Sequence, residues 1–148
     1  MIKIICVGKI KENYLKDAIK EYQKRLSKYT KLEIIELPDY NYDTVKTKME
    51  EGKNILSKIT DKDFVVTLEI NGKELDSINL SSFIDKNISR NITFVIGGSN
   101  GLSDDVLKRS DYSLSFSKLT FPHQLFRILL LEQIYRSFKI INNESYHK

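Results

Sequence analysis

A single cysteine, Cys6, excludes any disulfide within the chain, and its place in the apolar run Ile2–Val7 reads as a small core residue rather than a reactive thiol. Two prolines and six glycines leave no composition for a long disordered linker. No apolar stretch approaches the ~20 residues that a membrane-spanning helix needs, and the N-terminus lacks the charged, apolar and small-residue pattern of a secretory signal. A cytoplasmic protein without a membrane partner is therefore expected. The chain has no His/Asp/Glu cluster of metal-ligand type and no Gly-x-Ser-x-Gly elbow, so no metal is expected and a small hydrolase is disfavoured.

What is present is the composition of one soluble globular domain over residues 1–148, with 41% hydrophobic and 30% charged residues and no shift that would mark a second domain. Twenty-four Lys and Arg against twenty Asp and Glu give a formal net charge of +4, which favours a polyanionic partner without requiring one.

Periodicity alternates between two forms along the chain. Residues 2–7 read as a strand, and Leu15, Ala18/Ile19, Tyr22, Leu26 and Tyr29 then recur at helical spacing. Residues 32–37 form a second strand stopped by Pro38-Asp39, after which Val45, Met49, Gly52, Leu56 and Ile59 mark a second helical face. Phe64–Ile70 is a third strand closed by an Asn71-Gly72 turn, and a weaker helix covers Ser77–Lys86. Ile92–Ile96 is a fourth strand, followed by a glycine loop and a short helix capped by Ser103. Tyr112–Phe116 is a fifth strand, and a long apolar helix follows it. Strands alternating with helices predict an α/β fold with a mainly parallel sheet covered on both faces. Ligands of such sheets bind beyond the strands' carboxyl ends, which points to three loops: Gly8-Lys9, Gly97–Gly101 and Ser117–Pro122.

The loop Gly97-Gly98-Ser99-Asn100-Gly101 allows a ligand to approach the backbone, or is simply a tight turn. It matches neither the Walker loop nor the dinucleotide fingerprint, and the next helix opens with Asp104 and Asp105, which would repel a phosphate. A nucleoside without phosphates fits better. Ser117–Pro122 exposes consecutive backbone groups suited to the edge of an adenine, with Leu119 and Phe121 available for its faces. The helix that follows accepts Pro122 in its first turn and carries His123 and Arg127 one turn apart. Imidazole titrates in a range useful for catalysis, whereas Arg127 stays charged and suits binding. Apolar residues surround this last helix, so a surface beyond the sheet must cover it, either a second subunit or another helix of the same chain. The tail Asn142–Lys148 is expected to be exposed.

Ile96-Gly-Gly-Ser-Asn-Gly-Leu-Ser103, Leu119-Thr-Phe-Pro-His123, Arg127, Glu132-Gln-Ile-Tyr-Arg136 and Tyr146-His-Lys148, taken together, resemble the RlmH family of SPOUT-class methyltransferases over essentially the whole chain. The resemblance implies a C-terminal trefoil knot and a homodimer. It also implies S-adenosylmethionine as cofactor, held by Leu68, Gly98, Ser117, Lys118, Leu119, Thr120, Phe121 and Pro122. The implied reaction is methyl transfer to N3 of a pseudouridine in 23S ribosomal RNA of assembled ribosomes. His123, Arg127, Tyr146 and His147 become the catalytic set, with the proton taken by His123 or His147, and Arg136 and Lys148 become RNA contacts. Ser145 stands where the family pattern commonly has proline, which leaves the tail less stiff. A non-catalytic RNA-binding α/β module is the alternative.

Overall fold

The computed structural model describes all 148 residues. Five strands alternate with five helices: β1 (Ile2–Val7), α1 (Asn13–Leu26), β2 (Leu32–Leu37), α2 (Thr44–Ser57), β3 (Asp63–Glu74), α3 (Ser77–Asn87), β4 (Asn91–Ile96), α4 (Asp104–Arg109), β5 (Tyr112–Ser115) and α5 (His123–Ile141). The strands form one parallel sheet in the order β2-β1-β4-β3-β5. No helix is long and apolar enough to cross a membrane.

Because successive strand residues face opposite ways, the apolar runs of β1 and β4 feed two cores. Ile2, Ile4, Cys6, Ile92, Phe94 and Ile96 pack with Leu26 of α1, Leu80 and Ile84 of α3, and Leu130, Leu131 and Ile134 of α5. Ile5, Val7 and Val95 face the other way, against Ile55 of α2 and Val106 of α4. Helix α5 therefore lies on the sheet with α1 and α3 beside it, so two helices of the same chain cover part of its apolar surround. Cys6 is buried, and burial pushes its thiol up to about 11, with the Arg127 cation opposing and Glu36 adding to the rise.

Two local expectations are corrected. β3 does not turn at Asn71-Gly72; it shifts register between Leu68 and Lys73 and continues beside β5 to Glu74. A Cβ on Gly72 would come within 2.8 Å of the Ser113 and Leu114 backbone, so this glycine permits a close approach between strands. The buried face of α2 is also rotated from the apolar stripe: Val45 and Met49 are exposed, while Thr47, Glu51, Gly52 and Ile55 are buried. Two polar side chains win that face by satisfying backbone donors of the preceding loop. Thr47 Oγ1 accepts from Tyr42 N at 3.0 Å and Glu51 Oε2 accepts from Tyr40 N at 3.1 Å.

At the other end of the sheet, the Lys3 ammonium lies 2.8 Å from Asp63 Oδ2 and donates to the Lys58 carbonyl at 2.8 Å. Burial alone would raise the Asp63 pKa, but Lys3 and hydrogen bonds from Thr60 outweigh it and the carboxyl sits below its usual range. Its stabilisation is present above the unfolded carboxyl's pKa and is lost as pH falls through the depressed value. Asp63→Asn is expected to cost about 1–2 kcal/mol at neutral pH, with the gap from the parent narrowing below pH ~4. Urea melts at pH 7 and pH 3 measure this; an equal gap at both would contradict the assignment.

Candidate functional site

Parallel strands bring their carboxyl ends to one edge of the sheet, and a cavity of about 360 Å³ lies there, within the range of roughly 300–1,000 Å³ usual for small-molecule sites. The middle of β3, the end of β5, the loop after β4 and the loop before α5 build its walls. Gly98 and Gly101 close the glycine loop, with Gly101 N donating to the Gly98 carbonyl at 3.0 Å. Ser103 caps α4 and accepts from Val106 N, which fixes where the loop ends. On the opposite wall, Leu119 N donates to Ser117 Oγ at 3.0 Å and Ser115 Oγ donates to the Ser117 carbonyl at 3.1 Å. The rings of Phe116 and Phe121 stand 4.9 and 6.0 Å from Phe126 of α5 and give that wall an aromatic backing.

Leu68, Gly98, Ser117, Leu119, Thr120, Phe121 and His123 all line this cavity, whereas Lys118 and Pro122 do not. Lys118 is exposed. Pro122 caps α5 one residue ahead of the helix rather than sitting in its first turn, and its carbonyl accepts from Phe126 N. Leu68 lies inside β3, because the strand runs further than its apolar pattern. Glu69 is one cavity residue that periodicity did not single out; its Oε2 accepts from Thr67 Oγ1 at 2.6 Å. No Lys or Arg lines the cavity, and half or more of its lining is hydrophobic. That donor set disfavours a phosphorylated ligand and suits a nucleoside with positive charge near Glu69.

His123 is exposed at the start of α5, and its pKa is held below the usual histidine value by partial desolvation of the ring first and by the Arg127 cation second. The lowered pKa favours its neutral form, the one that accepts a proton. Arg127 plays a different part from the one expected. It is 2% exposed, its Nη1 pairs with Glu36 Oε2 at 2.6 Å, and its Nη2 donates to the carbonyls of Val7 and Gly8 at 3.1 and 2.7 Å. A guanidinium so enclosed cannot grip RNA phosphate directly. It ties α5 to the end of β1 and holds the Gly8-Lys9 turn in place.

The C-terminal residues are brought together, but away from the cavity. Tyr146 is half-buried, its ring 5.0 Å from Tyr135 and its hydroxyl donating to Glu132 Oε2 at 3.3 Å. Arg136 holds Glu132 through Nε, lies over the Tyr146 ring, and donates to His147 Nδ1 at 3.0 Å. Arginine only donates, so that histidine nitrogen accepts. Glu144 is tied to Tyr29 and Lys139, which docks the tail on α5, and the tail residues other than Tyr146 are exposed as expected. Thirteen helical steps separate His123 from Arg136, about 20 Å along the axis. A single chain therefore does not bring Arg136, Tyr146, His147 or Lys148 to the cavity.

A parallel α/β sheet carrying a largely apolar cavity without lysine or arginine at its strand ends defines a class that the comparisons with known proteins make specific. The family model described as "Predicted SPOUT methyltransferase" matches residues 1–147. The chain is 55% identical to "Ribosomal RNA large subunit methyltransferase H 1" of Clostridium perfringens strain SM101, over 99% of each chain. It is 56% identical to "Ribosomal RNA large subunit methyltransferase H" of Clostridium botulinum strain Alaska E43 and 57% identical to "Putative ribosomal RNA large subunit methyltransferase H" of Methanococcus vannielii, each over 99% of both chains. The chain belongs to the SPOUT methyltransferases, and within them to the RlmH family.

Proposed function

We propose that this chain is an S-adenosylmethionine-dependent ribosomal RNA methyltransferase that modifies N3 of a pseudouridine in 23S RNA of the assembled ribosome. The carrying observation is the cavity shared by the glycine loop and the Ser115–Phe121 segment, in a chain alike over its full length to proteins named as large-subunit rRNA methyltransferases. Leu68, Gly98, Ser117, Leu119, Thr120 and Phe121 would hold the cofactor, and the absence of lysine and arginine from the lining suits its positive charge. When bound, S-adenosylmethionine supplies a methyl group on sulfonium, already an activated leaving group.

The protein must orient the acceptor and accommodate the imide proton, and much of the rate comes from that positioning. His123 faces the cavity in its neutral form and is the base that the geometry favours. His147 accepts from Arg136 on the same chain and reaches a site only across a subunit contact. The reading therefore includes a homodimer in which the Arg136, Tyr146, His147 and Lys148 group serves the partner's cavity and its RNA. It also includes one domain, a cytoplasmic location and the C-terminal knot, which a crystallographic chain trace without a threaded loop would remove.

His123→Ala is expected to lower the single-turnover methylation rate at saturating cofactor by about 10²–10⁴-fold, the usual worth of a positioned acid–base group. The rate should rise with pH through the histidine's lowered pKa in the parent and lose that limb in the variant, because the deprotonated form acts. If His147→Ala loses the limb instead, the base is the tail histidine; unchanged rates in both would dispose of a histidine base.

A further inference from the structure

A second cavity of about 390 Å³ lies beside the first, and Gly98, Ser99 and His123 line both. Its chemistry is the opposite of its neighbour's. Lys9 and Lys11 are exposed cations along it, and the buried Arg127 guanidinium holds the Gly8 turn from which Lys9 projects. Glu51 of α2 contributes a carboxylate that is only 4% exposed. Its Oε2 accepts from Tyr40 N, but its Oε1 has no hydrogen-bond partner and lies where a Cβ on Gly98 would be 2.9 Å away. Leaving a buried acceptor unpaired is destabilising, and a ligand that brings an N–H removes that cost. Gln124, on the same cavity, accepts from Lys11 N through Oε1 at 3.3 Å, which leaves its side-chain amide N–H groups to donate.

An acceptor beside donors, with two lysines on the rim, complements a base edge that carries an N–H between two carbonyls and is joined to phosphate. We propose that the second cavity is the acceptor-nucleotide site, with the imide N–H of a uracil-type base donating to Glu51 on binding, before His123 on the shared wall takes its proton, and the adjoining phosphate lying between Lys9 and Lys11. Its role in catalysis rests on the methyltransferase reading; the binding preference does not. The shared wall of Gly98, Ser99 and His123 places the acceptor next to the cofactor cavity. Cytosine presents an acceptor nitrogen at the same position, which the carboxylate repels, so the site discriminates between pyrimidines.

Amide chemical-shift titration of the full chain with uridine, 3-methyluridine and cytidine 5′-monophosphates tests this. Uridine monophosphate should shift Glu51, Gly98 and Ser99 saturably, with the other two nucleotides weaker by at least about tenfold. A Lys9→Ala, Lys11→Ala double variant should weaken uridine monophosphate by about tenfold and leave the phosphate-free nucleoside unchanged. Glu51→Gln should abolish the preference for uridine over cytidine. Equal affinities for the three nucleotides in the parent, shifts confined to the first cavity, or no saturable shift would overturn the proposal whether or not the variants fold. S-adenosylhomocysteine titration and methyl transfer to ribosomes on the same protein separate the two readings. Uridine selectivity without cofactor binding removes the methyltransferase and keeps the site, whereas methyl transfer without selectivity removes the site and keeps the enzyme.

Discussion

Gly98→Val is expected to weaken S-adenosylhomocysteine binding by about a hundredfold, or ~2.7 kcal/mol, and to suppress methyl transfer with it. The backbone of Gly98 is not in the left-handed region, so the demand for glycine at this position is one of space. A Cβ there would lie 2.9 Å from Glu51 Oε1 and 3.3 Å from Val7 Cγ1. The Glu51 carboxylate is the end of a flexible side chain and can yield to one methyl group, so Gly98→Ala should cost only a few-fold. Valine adds two branches against Val7 of β1, which cannot move, and pushes the loop toward the cavity that Gly98 also lines. Calorimetric titration of the two variants reads the series, with melting temperature as the control. Valine-variant affinity within threefold of the parent would remove the glycine loop from the cofactor site.

Arg127→Leu is expected to destabilise the fold by about 3 kcal/mol, toward the low end for breaking a buried ion pair because Glu36 can reach water. The loss falls on three groups at once: the Glu36 carboxylate and the carbonyls of Val7 and Gly8. For a chain of this size the melting temperature should drop by about 6–12 °C. The consequence for function is indirect. Without the guanidinium the Gly8-Lys9 turn is no longer pinned to α5, and removing the cation also relieves the smaller part of the depression of the His123 pKa, partial desolvation of the ring being the larger cause. The pH–rate profile of Arg127→Lys, which keeps the charge but not the fork, should retain the low His123 pKa while losing part of the stability. A leucine variant that melts with the parent would show that the guanidinium is dispensable to the fold.

The alternating periods of the chain were enough to place all five strands and five helices, because β1 and β4 are buried on both faces, the other strands are apolar runs bounded by polar breaks, and α1 and α2 show apolar residues at helical spacing. They failed where a polar group outbids an apolar one. In α2 the stripe through Val45 and Met49 was the visible pattern, yet the buried face belongs to Thr47 and Glu51, whose partners are backbone N–H groups of a loop that periodicity does not see. Glu51, the residue on which the second cavity turns, was hidden for that reason. Arg127 was visible as a residue near a ligand loop, but its partner Glu36 lies 91 positions away, so its role as a clamp between α5 and β1 could be read only from the fold. The two loops that line the first cavity were legible because glycine and proline mark them in sequence. What could not be read was distance: His123 and the Tyr146-His147-Lys148 tail look like parts of one site along the chain and stand apart in one molecule.

The most direct test is incubation of the purified protein with methyl-labelled S-adenosylmethionine and ribosomes from cells that lack the corresponding activity, followed by mass mapping of the 23S RNA. One methyl group on N3 of a single pseudouridine, transferred to ribosomes and not to free nucleosides, is the result expected. Saturable cofactor binding without any label on ribosomal RNA, or label on a different class of acceptor, would contradict the assignment.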